Sequence, residues 1–219
     1  MSGPGLLAAV LFTPLAAMAD PVSWIDWNGK AGSLVQNGAT IEVTYTGGAN
    51  ISHADYFSGF PGTYVSDEVS NGPGGNGFLQ LVGGSSMLQH HIHFSSAVVN
   101  PYIALLSVGA GGEAATFTFH DVASIELLSK GSNAWGNGEL AVAGNVVSGK
   151  EGNGLIRLNG TFTDLYFTTP VYENWYGAAI GAAAVSAVPE PGTWGMLAAG
   201  SLVLALARRR QNARFTRPA

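Results

Sequence analysis

Through most of its interior this chain carries an apolar residue at every second position. A strand buried on one side has that spacing, because successive strand side chains point to opposite faces. Residues 40–46 are the clearest case, with Ile41, Val43 and Tyr45 on one face and Glu42 and Thr44 on the other. The stretches 78–82, 88–94, 115–120, 124–128, 139–142, 145–147, 155–158, 162–168 and 175–185 also read as strands. Residues 102–108 form a continuous apolar run, the pattern of a strand covered on both faces. The interior lacks the i, i+3, i+4, i+7 spacing of a helix. Turn residues recur every eight to twelve positions, and Gly83-Gly84-Ser85-Ser86 predicts a hairpin joining 78–82 to 88–94. Many short strands at this spacing predict an all-β fold: a single antiparallel β-sandwich, jelly-roll-like, over residues 20–186.

Composition narrows the chemistry. Charged residues are 11% of the chain, under half the usual ~25%, and the 31 glycines are about twice the usual share. There is no cysteine, which removes disulfides, thiol nucleophiles and thiolate metal sites. A domain of about 170 residues buries an adequate core without such staples. Residues 20–192 hold four basic residues against all fourteen acidic ones, a net charge of −10. That balance argues against a nucleic-acid partner, since phosphate binding needs clustered Lys and Arg.

The two ends have a different character. Residues 6–19 are mostly apolar and close with Ala17-Met18-Ala19, a small-x-small cleavage signature, so 1–19 reads as a signal peptide. At the other end Pro189-Glu190-Pro191 precedes an uncharged stretch, 193–207, and then Arg208-Arg209-Arg210. The prolines prevent a helix from continuing upstream, so a helix would start near Gly192 or Thr193. An uncharged stretch followed by arginines suits a membrane-crossing helix with its basic end inside the cell. The expected layout is a motif at 188–192, a transmembrane helix at 193–207, a basic stop-transfer cluster at 208–210 and a disordered cytoplasmic tail at 212–219.

These three parts in order resemble the PEP-CTERM sorting signal of exported bacterial proteins, over 187–211. Pro189, Glu190 and Pro191 match the motif, and Arg208 to Arg210 match its basic end. The resemblance implies recognition by an exosortase, a membrane-embedded transpeptidase-like protease. It implies an inner-membrane intermediate, cleavage near the motif and transfer to the cell surface of an organism that often makes extracellular polysaccharide. The run from 149 to 177 also resembles the closing strands of β-sandwich proteins that carry this tail.

Four features of the domain bear on chemistry. Gln89-His90-His91-Ile92-His93 on a strand puts His91 and His93 on one face and His90 on the other. Two imidazoles at that spacing hold Zn, Cu or Ni once a third ligand arrives, with His120 the expected donor and His53 the alternative. Asp55, Asp67, Glu68, Asp121, Glu151 and Glu173 form a pool for a structural Ca²⁺, although no EF-hand spacing is present and no cofactor is required. Among Trp24, Trp27, Trp135, Tyr172, Trp175 and Tyr176, Trp135 has no evident core partner and is the expected carbohydrate contact. The glycine-rich stretch 71–77 reads as a surface loop, because a phosphate cradle needs a following helix. Neither a Gly-x-Ser-x-Gly elbow nor a His-Glu-x-x-His motif occurs. The expected function is therefore a non-catalytic, exported surface or matrix protein associated with exopolysaccharide or biofilm. The alternative is a secreted metal-dependent hydrolase or carbohydrate-active enzyme using the His90–His93 strand.

Overall fold

The computed structural model describes residues 19–184, together with Gly200, Ser201 and Val203. The expectations for Ala17, for Pro189, Glu190 and Pro191, for most of 193–207, and for Arg208, Arg209 and Arg210 fall outside the described residues. The chain divides into two compact units, Met1–Val185 and Ser186–Ala219. In the second, Gly200, Ser201 and Val203 are helical. Among the described residues no helix is long and apolar enough to cross a membrane.

The first unit is a β-sandwich. In chain order its strands are β1 Val22–Trp24, β2 Asp26–Asn28, β3 Ala31–Gln36, β4 Ala39–Thr46, β5 Asn50–Ser52, β6 Phe78–Leu81, β7 Ser85–Val99 and β8 Tyr102–Val108. There follow β9 Ala115–His120, β10 Ser124–Lys130, β11 Leu140–Ala143, β12 Val146–Gly149, β13 Gly152–Asn159, β14 Thr161–Thr169 and β15 Tyr176–Ala183. One sheet runs β10-β13-β8-β15-β6-β5, with β1 also paired to β15; the other runs β11-β12-β9-β14-β7-β4-β3-β2. From β7 onward each strand crosses to the opposite sheet, apart from the β11–β12 hairpin. All ladders are antiparallel.

The alternation does what its spacing requires. Strand β4 buries Ile41, Val43 and Tyr45 and exposes the residues between them. Strand β9 does the same with Ala115, Phe117 and Phe119. These side chains meet Ile92, Leu165 and Phe167 from the same sheet and Leu79, Leu105, Ile156 and Ile180 from the other. Each large side chain so buried contributes roughly 1.5–3 kcal/mol.

Strand β8 is buried along its whole length, as its apolar run predicts. A second cluster supplies the outer cover: Phe57, Tyr64 and Val69, from the connection between β5 and β6, pack on Tyr102, Ala104, Leu106 and Ala179. The seven-stranded sheet is therefore covered on both faces.

One sequence expectation changes, and four strands come in addition to those expected. The stretches 78–82 and 88–94 do not form a hairpin: β6 and β7 lie in different sheets. Gly83 (φ 60°) and Gly84 (φ 93°) turn the chain across the sandwich instead. The stretch 71–77 is a loop, as expected, and it is tied down. Asn71 Oδ1 accepts the Val22 N–H at 2.6 Å, its amide donates to Val22 O at 2.9 Å, and Pro73 is buried. Strands β1, β2, β3 and β5 were not evident in the apolar pattern. Yet Asn37-Gly38, both with positive φ, forms the two-residue turn between Gln36 and Ala39, a strong hairpin signal readable from the sequence.

Candidate functional site

The polar face of the eight-stranded sheet carries the histidine strand. His91 and His93 of β7 face outward, and His90 faces the core. The neighbouring strand β14 sets Asp164 opposite His93 and Tyr166 opposite His91. Asp164 Oδ1 takes both rings: His91 Nε2 lies at 2.7 Å and His93 Nδ1 at 2.9 Å. The ring of His91 stacks on Tyr166, with centroids 4.3 Å apart and planes inclined by 15°. Hydrogen bonds from His93 and then His91 hold the Asp164 carboxyl down at about 2.

The three ligand atoms of His91, His93 and Asp164 lie within 4.8 Å of one another. His120 is not the third member. It sits on β9 opposite the far side of Tyr166, two strands from His91. At ~4.8 Å per strand that is about 10 Å, with the Tyr166 ring between. His53 follows β5 in the other sheet and lies against Gly77. Asp164 was not singled out in the sequence, because only the register of β14 against β7 brings it to the histidines.

His90 is one side chain from this face and chemically separate from it. Tyr45 OH lies 2.7 Å from its Nδ1 and Thr169 Oγ1 lies 3.1 Å from its Nε2. The Ala49 N–H also donates to the Tyr45 oxygen, at 2.8 Å. Burial pushes the imidazole down to about 4, so it stays neutral.

A second constellation lies where three loops meet. Trp135, 44% exposed, packs edge-on against Tyr56 with centroids 4.4 Å apart, and against Trp175 at 4.7 Å. Trp175 and Tyr56 in turn touch Phe78 at 5.8 and 6.1 Å. Trp135 thus has core-side partners and still presents a face to solvent. Tyr172 is exposed, whereas Trp24, Trp27 and Tyr176 are core residues. The Trp135 loop is held from below. Asn133 Oδ1 accepts the Trp135 and Gly136 N–H groups at 2.7 and 3.1 Å, and the Asn133 amide donates to Asn153 Oδ1. Asn153 is fully buried and also accepts the Ser107 N–H at 2.6 Å.

Two carboxylates lie close by. Ser107 Oγ donates to Glu151 Oε2 at 2.8 Å, and the Gly109 N–H donates to Glu173 Oε2 at 2.7 Å. Burial, with the Glu151 charge adding to it, pushes Glu173 up to about 7 against the pull of the Gly109 N–H. The rest of the calcium pool is dispersed. Asp55 caps the Phe57 and Ser58 N–H groups, and Glu68 pairs with Arg157, which also pairs with Glu126. Among the described residues the group with metal-ligand spacing contains none of the six acids considered for calcium.

Residues 187–211 match the family described as the PEP-CTERM protein-sorting motif. No curated protein and no solved structure matches the chain. The motif implies an exported protein processed by an exosortase.

Proposed function

We propose that this chain is a non-catalytic cell-surface or extracellular-matrix protein, delivered by its sorting motif and associated with extracellular polysaccharide through the aromatic group at Trp135. The motif at 187–211, behind a sandwich that begins near Asp20, carries the reading. Residues 193–207 then hold the export intermediate in the inner membrane, with Arg208, Arg209 and Arg210 on the cytoplasmic side. Exosortase cuts near Pro189-Glu190-Pro191 and releases the domain to the surface.

A solvent-facing indole, backed by Tyr56 and Trp175 and anchored by Asn133, suits the CH faces of a sugar ring. Such stacking needs little side-chain ordering on binding, because Trp135 is already packed on one side. The competing reading, a metal-dependent hydrolase or carbohydrate-active enzyme on the His90–His93 strand, draws less support: His90 faces the core and His120 stands beyond Tyr166.

Mass spectrometry of the protein from its own host tests the delivery. The expected species begins at Asp20 and ends near Pro189-Glu190-Pro191. Substituting that tripeptide by alanines leaves the C-terminal segment uncut. An intact chain in the cytosol, with both ends present, overturns the proposal. Binding is tested by retention on the host's own polysaccharide. Trp135→Ala is expected to weaken it by about 1–2 kcal/mol, roughly 5- to 30-fold; equal retention removes Trp135 from the reading.

A further inference from the structure

We infer that His91, His93 and Asp164 form a binding site for one divalent transition-metal cation of the zinc and copper class, with the remaining coordination positions open to solvent. The site takes no residue from the sorting motif or the Trp135 loop, and stands or falls without them.

The geometry is specific to these three side chains. Residues two apart on a strand share a face but lie about 6–7 Å apart at the backbone. Rings so placed can be turned to meet at one point. His91 does so with Nε2 and His93 with Nδ1, and both end on the same oxygen of Asp164. The ring centroids are 6.2 Å apart and the planes inclined by 62°, so the two nitrogens approach that point from different directions. Tyr166 fixes the plane of His91 by stacking. The third donor comes from the adjacent strand, so the three side chains stand on a ladder whose backbone need not move.

Two imidazoles and a carboxylate are a donor set for zinc, copper or nickel rather than for magnesium or calcium, which take oxygen. A tetrahedral cation bonded at about 2.0–2.1 Å holds its ligand atoms about 3.3 Å apart. The present separations of 2.7 and 2.9 Å therefore open by about half an ångström, a matter of side-chain rotation. The nitrogen of each ring that faces Asp164 gives up its proton, either to its partner nitrogen or to solvent, and offers its lone pair to the cation. Side-chain exposures of 29% for His91, 52% for His93 and 37% for Asp164 leave a way in. Thr44 and Thr46 of β4 stand opposite His93 and His91 on the other side, so no basic side chain adjoins the site from that strand.

The test uses the full chain in mild detergent, purified without a histidine tag. Zinc is titrated calorimetrically, and copper(II) is followed by electron paramagnetic resonance, which reports nitrogen ligands directly. One equivalent of zinc and two coupled nitrogens are expected. His91→Ala and His93→Ala should each weaken zinc binding by at least the roughly 10- to 100-fold that loss of a mere supporting partner costs. Asp164→Asn should weaken it by about tenfold, while His120→Ala and His53→Ala leave it unchanged. All five positions are read alongside thermal melts. The copper spectrum of the unsubstituted chain gives an answer even if a variant fails to fold. No zinc uptake at millimolar concentration, no nitrogen coupling, or unaltered affinity in folded His91→Ala and His93→Ala proteins would each overturn the site and leave only a hydrogen-bonded His-Asp-His group.

Discussion

Glu173 and His90 are buried titratable groups whose charges burial opposes in opposite senses. Glu173 is 8% exposed, and its carboxyl rises from 4.5 to about 7 in the folded chain. The folded state therefore binds its proton more tightly than the unfolded state does. Its contribution is complete below about pH 4.5 and is lost as pH rises towards 7, by about 2–3 kcal/mol. His90 falls from 6.5 to about 4, so the unfolded chain binds its proton more tightly, and stability rises with pH across that interval. The two slopes oppose each other between about pH 4.5 and 6.5. Replacing Glu173 by Gln removes one of them. Melting temperature in Glu173→Gln is expected to climb from pH 4.5 to 6.5 more steeply than in the parent, and to exceed the parent at pH 8. Parallel curves for the two proteins would show that Glu173 ionises normally. The strand pattern sets His90 apart from His91 and His93, but neither shift is visible in the sequence, because burial and neighbours from distant segments set both.

Strands are legible to the extent that one face of each is buried and the other is wet. Strands β4 and β9 follow the period-two pattern to within a residue or so. Strands β1, β2 and β5 have three residues each, too few to show a period. The mistaken hairpin at Gly83-Gly84 has the same root: local glycines mark a reversal, but only the sheet partner of each strand says whether the chain stays in its sheet or leaves it. Connections are where single residues decide. Gly109 leaves β8 with φ 82°, and a Cβ there would fall on the Gly149 carbonyl. Gly109→Ala is expected to lower stability by about 2–4 kcal/mol in urea denaturation, combining left-handed strain with a backbone collision. Gly111, two residues on, has open space around it. Gly111→Ala should be neutral or stabilising by up to about 1 kcal/mol through the unfolded chain. Equal losses at both positions would mean that the loop, and not Gly109, is constrained.

At the scale of the molecule the two sheets are unequal. The seven-stranded sheet is covered twice, by the other sheet and by the connection that carries Phe57, Tyr64 and Val69. The eight-stranded sheet leaves an outer face of threonines, histidines and Asp164 to solvent. A covering connection of this kind should be part of the cooperative fold. Phe57→Ala and Phe119→Ala, one from each core, are expected to cost a similar 3–5 kcal/mol and to unfold in a single transition. A separate early transition in Phe57→Ala would make the connection an independently melting flap. The same asymmetry places the two candidate sites. The histidine-carboxylate group lies on the bare sheet, and the Trp135 group lies where the covering loops meet.

The strand-rich class, the sandwich and the transport address at 187–211 follow from the order of residue types alone. Each depends on local periodicity or on a short contiguous motif, and those are properties of neighbours along the chain. Which strands share a sheet, which side chain completes the histidine pair, and why β8 is dry on both sides depend on contacts between segments dozens of residues apart. Asp164 is 71 positions from His93 and meets it at 2.9 Å. Such a meeting is set by ladder register and by the burial of the opposite face, and a linear pattern carries neither.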